Sequence, residues 1–261
     1  MKRNLTLIIR YSNQITFIFV LILFGLTAVL GLMNGGQLRY PDEHDYSQLA
    51  YSITNGNGYV NPEGKPTAYR PPGWPFILSL VYRFFPHPWA AKLFNAFVYA
   101  GAAWLLSIMA ARITPEGKIF APLLLLLYPV GIYTASTLYP QASGTLLLVA
   151  ILLLLDNQKH AAFSSSAAGL LFGLLVLSIP AFLLITPLIL IGMLLASQKK
   201  STFLIARSLL FLTCAALIII PWTVRNTRVL GGFTPVSTNS GVNLLLGNSE
   251  NTGPNSGVNV D

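Results

Sequence analysis

Seven apolar runs, each close to the length of a bilayer-crossing helix, dominate this 261-residue chain. They lie at about residues 15–33, 89–111, 119–137, 139–156, 161–179, 181–197 and 203–222. A spanning helix needs roughly 20 mostly apolar residues. Backbone in lipid must satisfy its own polar groups, which favours helices wherever the chain does not close into a barrel. Only 9% of the residues are charged, against about 25% in a soluble domain. The pattern predicts an all-α polytopic membrane protein with about seven transmembrane helices, integral to the lipid bilayer. The net charge of +8 raises nucleic acid as a partner, but no basic run or aromatic–basic interleaving accompanies it. No nucleic-acid partner is expected.

The basic residues sort instead to alternate connections. Lys2, Arg3 and Arg10 precede the first run, and Arg112 and Lys118 follow the second. Lys159 follows the fourth, and Lys199, Lys200 and Arg207 stand around the last connection. The positive-inside rule then places the N-terminus in the cytoplasm and the C-terminal end outside. The first run is too long for a signal-peptide core and no small-residue cleavage site follows it, so it reads as an uncleaved helix. Cys214, the one cysteine, lies within an apolar run and forms no intramolecular disulfide.

The connection at residues 34–88 breaks this pattern. It carries Asp42, Glu43, Asp45 and Glu63, four of the eight acidic residues. Tyr46, Leu49, Ala50 and Ile53 recur at helical spacing, so residues 43–54 are expected to form a juxtamembrane helix beginning at Pro41-Asp42. Asn55-Gly56-Asn57-Gly58 ends it as a turn. A second apolar segment at residues 74–85 is too short to span. It is expected in the interface, with Trp74, Tyr82, Phe84, Phe85 and Trp89 as an aromatic belt. Residues 133–141, polar and aromatic, should face this loop. Gly169 and Gly173 form a small-xxx-small pair suited to close helix approach. Residues 1–222 thus read as a membrane domain. Residues 223–261 read as an extracytoplasmic polar segment, expected to be the start of a missing C-terminal part.

The outer groups define the possible chemistry. No Cys–His pair, G-x-S-x-G or Walker loop is present. Asp42, held a few residues past the first helix, suits a general base taking a proton from a hydroxyl or amine. It is also the best ligand for a divalent cation such as Mg or Mn. A first-turn carboxylate favoured by the helix dipole accounts for it equally well. Arg70 is followed by two prolines that stiffen the backbone, which suits it to bind a phosphate. An interfacial arginine meeting headgroups is its plainer role. Arg225 and Arg228 add positive charge past the seventh run. His44 and His87 stand alone.

Taken in order, one helix, then Pro-Asp-Glu-x-x-Tyr-x-x-Leu-Ala, then Arg-Pro-Pro-Gly-x-Pro resembles the GT-C glycosyltransferases. The likeness is to the branch containing protein O-mannosyltransferases and the lipid A aminoarabinose transferase. The stretches at residues 221–226 and 235–244 resemble bacterial members of that family. The resemblance implies an inverting glycosyltransferase in a bacterial inner membrane. It would move a sugar from a polyprenyl-phosphate donor to an acceptor glycan, lipid or protein at the extracytoplasmic face. It implies Asp42 as general base, Arg70 and Arg225 at the donor phosphate, and Glu43, Tyr46, Tyr69, Tyr139 and Gln141 as substrate-binding or supporting residues. Gln141 stands where the family carries a second acid, and that bears on metal dependence. A non-catalytic membrane subunit that binds a lipid-linked sugar is the alternative, supported by Gln141 and the short chain. A transporter is disfavoured because the apolar runs hold almost no polar groups.

Overall fold

The computed structural model describes residues 11–33, 35–157, 159–195 and 201–248. The basic flank Lys2, Arg3, Arg10, Lys199 and Lys200, and the acids Glu250 and Asp261, lie outside the described residues. Among the described residues the secondary structure is helical, with one isolated β-bridge between Val60 and Pro66.

The helices are α1 (Ser12–Met33), α2 (Pro41–Thr54), α3 (Gly73–Phe84), α4 (Pro88–Ala111), α5 (Gly117–Leu126), α6 (Pro129–Ala135), α7 (Gln141–Asp156) and α8 (Ala161–Ser178). A 3₁₀ turn at Pro180–Ile185 leads into α9 (Thr186–Leu195), followed by α10 (Ser201–Leu230) and α11 (Asn239–Asn248). Among the described residues four helices are long and apolar enough to cross a membrane: Ser12–Leu32, Pro88–Ala111, Ala161–Ser178 and Thr202–Leu230. A fifth is reached if α5 and α6 count as one span bent by 70°. By helix length and apolarity this is a helical membrane protein.

Proline explains where several runs break. Tyr128 precedes Pro129 and leaves the helical region, with ψ 86°. Ile179 precedes Pro180 and is likewise extended, with φ −140° and ψ 90°. A proline ring clashes with helical backbone at the residue before it. The run at 119–137 is therefore two helices, and α8 ends before Pro180; the run at 181–197 is a 3₁₀ turn plus a ten-residue helix, with Thr186 before Pro187 still helical. The run at 203–222 continues through Pro221 to Leu230, so the boundary expected at residue 222 falls inside α10.

Polar contacts group the helix ends. The Thr16 hydroxyl donates to the Lys118 carbonyl at 3.0 Å, and Arg112 pairs with Asp156. The starts of α1 and α5 and the ends of α4 and α7 therefore share one end of the molecule. At the other end α2 and α3 pack as a pair. Ser47 and Tyr82 hydroxyls meet at 2.9 Å in their buried seam, where Tyr51 stacks on Tyr82 at 4.4 Å. Trp74 and Tyr82 are buried in the core with Leu78, Tyr46 and Leu138. The expected aromatic belt is thus corrected: only Phe84, Phe85 and Trp89 are exposed.

The close approach expected at Gly169 and Gly173 falls between α8 and α10. A Cβ on Gly169 would overlap the Phe211 carbonyl, and one on Gly173 would lie 2.6 Å from Ile218 Cβ and 2.8 Å from the Ala215 oxygen. Backbone stands against backbone here, so neither helix can yield by turning a side chain. Gly173→Val should lower the stability of the detergent-solubilised protein by about 1–3 kcal/mol through overpacking. Gly25→Ala, which meets nothing within 4 Å, should keep or slightly raise the thermal midpoint, because alanine is the better helix former. Parallel melts of the two variants check this.

Candidate functional site

Arg70, Asp42 and Asp45 form one cluster at the α2 end of the molecule. Nη2 of Arg70 lies 2.5 Å from Asp42 Oδ1 and 2.8 Å from Asp45 Oδ2, and Nε donates to Asp45 Oδ2 at 2.9 Å. Asp42 sits in the first turn of α2 and Asp45 three residues further on, so both lie on one face. Pro41 occupies the helix start, where its missing N–H costs nothing. The Arg70 side chain is 11% exposed, against 35% and 40% for its partners. Its guanidinium also lies over Tyr69 at 4.9 Å and Tyr46 at 5.7 Å. Burial opposes its charge, but Asp42 beside it and the hydrogen-bonded Asp45 outweigh this and raise its pKa above the ordinary arginine value. Arg70 is a fixed cation with two carboxylate partners. Asp45, not singled out beforehand, holds it more completely than Asp42 does.

The backbone carrying Arg70 is fixed by more than its prolines. The Tyr59 hydroxyl donates to the Arg70 and Pro71 carbonyls at 2.8 and 3.2 Å. Gly56, Gly58 and Gly64 take positive φ and turn the loop. Arg225 then clamps it: Nη2 donates to the Tyr59 carbonyl at 2.9 Å and Nη1 to the Thr67 carbonyl at 2.5 Å, with the guanidinium stacked on Trp222 at 4.8 Å. Arg225 does not join the Arg70 cluster. Its hydrogen bonds go to backbone and to Asn226, so it acts by positioning the loop. Trp222 Nε1 and Asn226 Nδ2 both donate to the Val236 carbonyl, at 2.7 and 3.1 Å. The two late sequence stretches that carried the family resemblance therefore meet each other. From there Thr238 N donates to the Ala68 carbonyl at 2.9 Å.

Glu43 is fully buried and structural. One carboxylate oxygen accepts from the Arg39 and Tyr40 amides at 2.8 and 3.2 Å, and the other accepts from the Leu138 amide at 2.9 Å. It ties the start of α2 to the corner between α6 and α7. Trp74 Nε1 donates to the Leu138 carbonyl at 2.6 Å, and Asn95 Nδ2 donates to the Thr137 and Tyr139 carbonyls at 2.8 and 3.0 Å. Neither Trp74 nor Asn95 stood out in the sequence as a corner residue.

Beside the cluster a polar pocket of about 220 Å³ is lined by Tyr40, Tyr133, Thr134, Thr137, Tyr139 and Gln141. Residues 133–141 do face the first loop, as expected: Tyr40 and Tyr133 hydroxyls meet at 2.7 Å, and the Tyr40 and Tyr139 rings lie 5.9 Å apart. Burial, reinforced by Asp42 and Glu43, pushes the Tyr139 hydroxyl up to about 12. Burial likewise raises Tyr46 to about 12. Neither tyrosine is a base near neutrality, which leaves Asp42 and Asp45 as the proton acceptors at hand. Gln141 opens α7 and is exposed at the pocket. A second, smaller hollow of about 60 Å³ on the other side of Arg70 is lined by Asp45, Gln48, Asn61, Thr67 and Tyr69 among others. On the flank of α1, α3 and α4 runs an almost wholly apolar groove of about 710 Å³, past Phe24, Leu80, Phe84, Trp89 and Phe97.

The donor set does not fit a dedicated divalent-cation site. Hard cations take six or more oxygens. Here two carboxylates already share one guanidinium, and among the described residues no three Asp, Glu, His or Cys side chains gather to hold a metal. Comparison with protein-family models, curated proteins and solved structures returns no match to this chain.

The corner yields a direct expectation. Glu43→Ala leaves the buried Leu138 amide without an acceptor, a loss of about 1–3 kcal/mol. Thermal melts should show that loss for Glu43→Ala and a smaller one for Glu43→Gln, which keeps one carbonyl acceptor in place.

Proposed function

We propose that this protein is a membrane glycosyltransferase of the inverting type. It transfers a sugar from a polyprenyl-phosphate carrier to an acceptor at the extracytoplasmic face of a bacterial inner membrane. The observation that carries this reading is the convergence of Asp42, Asp45 and Arg70 beside a tyrosine-lined polar pocket. A lipid phosphate leaving group needs a fixed cation more than it needs a protein nucleophile. Arg70 offers one, and among the described residues its Nη1 makes no hydrogen bond, which leaves an N–H pair for a phosphate oxygen.

Roles divide between the two carboxylates. Asp45 holds Arg70 through both Nε and Nη2, while Asp42 meets Nη2 alone. In an in-line displacement the base and the leaving phosphate stand on opposite sides of the anomeric carbon. With Asp42 in contact with Nη2, that spacing is reached only once the donor enters and its phosphate takes over Nη2. Asp42, released, accepts the acceptor's proton as the acceptor oxygen or nitrogen bonds to the anomeric carbon. The bond from that carbon to the phosphate oxygen breaks, and its electron pair stays on the phosphate beside Arg70. No step is routed through a metal.

The finer topology belongs to the same reading: seven membrane passages, with α5–α6 one broken span and the 3₁₀ turn plus α9 another, and the α2–α3 end outside. A cysteine at Asn57 should react with a membrane-impermeant maleimide in intact cells, and one at Asn157 should react only after permeabilisation. Labelling of both from one side refutes the topology.

Activity is tested with the full-length protein in liposomes and a panel of polyprenyl-phosphate sugars. Asp42→Asn should reduce transfer by roughly 10²–10⁴-fold, the usual worth of a general base, with donor binding kept. Arg70→Lys should weaken donor binding, because an ammonium cannot keep Asp45 while presenting a planar N–H pair. Unchanged transfer by Asp42→Asn overturns the reading.

A further inference from the structure

We infer that Asn57 is a covalent modification site: it loses its side-chain amide to attack by the backbone that follows it, while Asn55, in the adjoining Asn-Gly pair, is protected. The inference stands apart from the glycosyltransferase reading. The sequence holds three Asn-Gly pairs, at Asn34-Gly35, Asn55-Gly56 and Asn57-Gly58. In such a pair the glycine nitrogen can reach the asparagine side-chain carbonyl, because no Cβ shields it. By residue type the three pairs are equivalent.

The fold separates them. The Gly35 nitrogen donates to the Leu32 carbonyl at 2.7 Å, and the Gly56 nitrogen donates to the Ile53 carbonyl at 3.0 Å. A nitrogen spent in this way must break its bond before it can give up its proton and attack. The Gly58 nitrogen makes no hydrogen bond among the described residues. Asn57 and Gly58 are both exposed, and the Asn57 side chain has no partner among the described residues.

The chemistry needs no co-reactant except water. The Gly58 nitrogen bonds to Asn57 Cγ as the bond from Cγ to the side-chain nitrogen breaks. That nitrogen leaves as ammonia and takes the Gly58 amide proton with it. Water then opens the five-membered imide, adding its hydroxyl to one carbonyl carbon and a proton to the Gly58 nitrogen. Cleavage at Cγ gives aspartate. Cleavage at the main-chain carbonyl carbon gives isoaspartate, whose main chain runs through Cβ and Cγ and is one carbon longer.

The position of Asn57 gives that extra carbon an effect. The Asn57 nitrogen donates to the Ser52 carbonyl at 3.0 Å, and the Ser52 hydroxyl donates to the Gly58 carbonyl at 2.9 Å. Neither bond occupies the reacting atoms, but the added carbon falls between the two anchors, and both cannot then be kept. Tyr59 comes next. Its hydroxyl holds the Arg70 and Pro71 carbonyls, and its own carbonyl accepts from Arg225. Lengthening the chain just before Tyr59 therefore loosens the brace that carries Arg70.

The test is peptide mapping by mass spectrometry on the full-length protein in nanodiscs, aged in mildly alkaline buffer, with the urea-unfolded chain as reference. After division by the unfolded rates, Asn57 in the folded protein should convert about tenfold faster than Asn55, the rate equivalent of one opened amide hydrogen bond. Isoaspartate should appear at residue 57. The aged parent should melt below the fresh protein, while aged Asn57→Gln, whose longer side chain closes an imide far more slowly, should melt like its fresh form. The inference is overturned if Asn57 stays intact in the folded protein while the unfolded chain converts, or if Asn55 converts as fast as Asn57. An equal fall in melting point on ageing for the parent and Asn57→Gln overturns the link to the Arg70 brace.

Discussion

The backbone corner at residues 136–140 is the constraint on which the site depends. A chain that leaves helical geometry near a bilayer exposes amide and carbonyl groups, each expensive to leave unpaired. Here three buried side chains from three helices meet them. Glu43 takes the Leu138 amide, Trp74 takes the Leu138 carbonyl, and Asn95 takes the carbonyls of Thr137 and Tyr139. Each contact satisfies the corner and at the same time fixes the helix that supplies it. Glu43 ranks first because its other oxygen caps the start of α2. That cap sets the helix phase, and the phase sets where Asp42 and Asp45 point.

Arg70 shows how a cation is kept charged yet available. A guanidinium this sheltered pays desolvation, and two carboxylates with two aromatic faces offset it. Asp45 supplies a two-point grip, so Asp42 can be exchanged for another anion without leaving the guanidinium unpaired. In the proposed transfer, a single carboxylate would have to choose between holding Arg70 and accepting a proton. The pair removes that conflict, which gives the site two acids at a helix turn where the sequence reading needed one.

The sequence exposed the coarse layout because membrane helices and their breaks follow from single-residue chemistry. The apolar runs, the helix at residues 43–54, the Gly-Asn turn and the Gly169–Gly173 approach all follow from spacing and backbone limits. Asp42 and Arg70 were legible as candidates at the two ends of one loop, but their direct ion pair was not, because only the fold brings those ends together. What was not legible required partners distant in the chain. Trp74 carries the same interfacial aromatic signature whether it faces headgroups or, as here, sits at 0% exposure beneath α2. Asn95 is one polar residue in an apolar run, and nothing local says that it faces a broken helix 42 residues later. Arg225 is as good a phosphate ligand as Arg70 on composition. Only the fold shows its donors spent on Tyr59 and Thr67, 166 and 158 residues away. The break within the third run falls at Pro129, but hydropathy averaged over about twenty residues hid it.

Polar bracing in this protein is distributed unevenly around the Arg70 cluster. The loop bearing Arg70 is held by Tyr59, by Arg225 and by residues 235–238, which bond Ala68 through Thr238 and pack through Val236. The corner opposite is held by Glu43, Trp74 and Asn95. Between these two braced walls lie the groups with spare bonding capacity: Asp42 at 35% exposure, the Gln141 amide and the Tyr139 hydroxyl. The Asp42–Arg70 pair and the Tyr40–Tyr133 hydroxyl pair border this gap, and among the described residues no side-chain hydrogen bond joins Gln141 to Asp42 across it. A protein that only needed stability would gain by closing that gap with a residue bridging Gln141 to Asp42. Leaving it open keeps a polar pocket between braced walls, which a ligand can enter without breaking them.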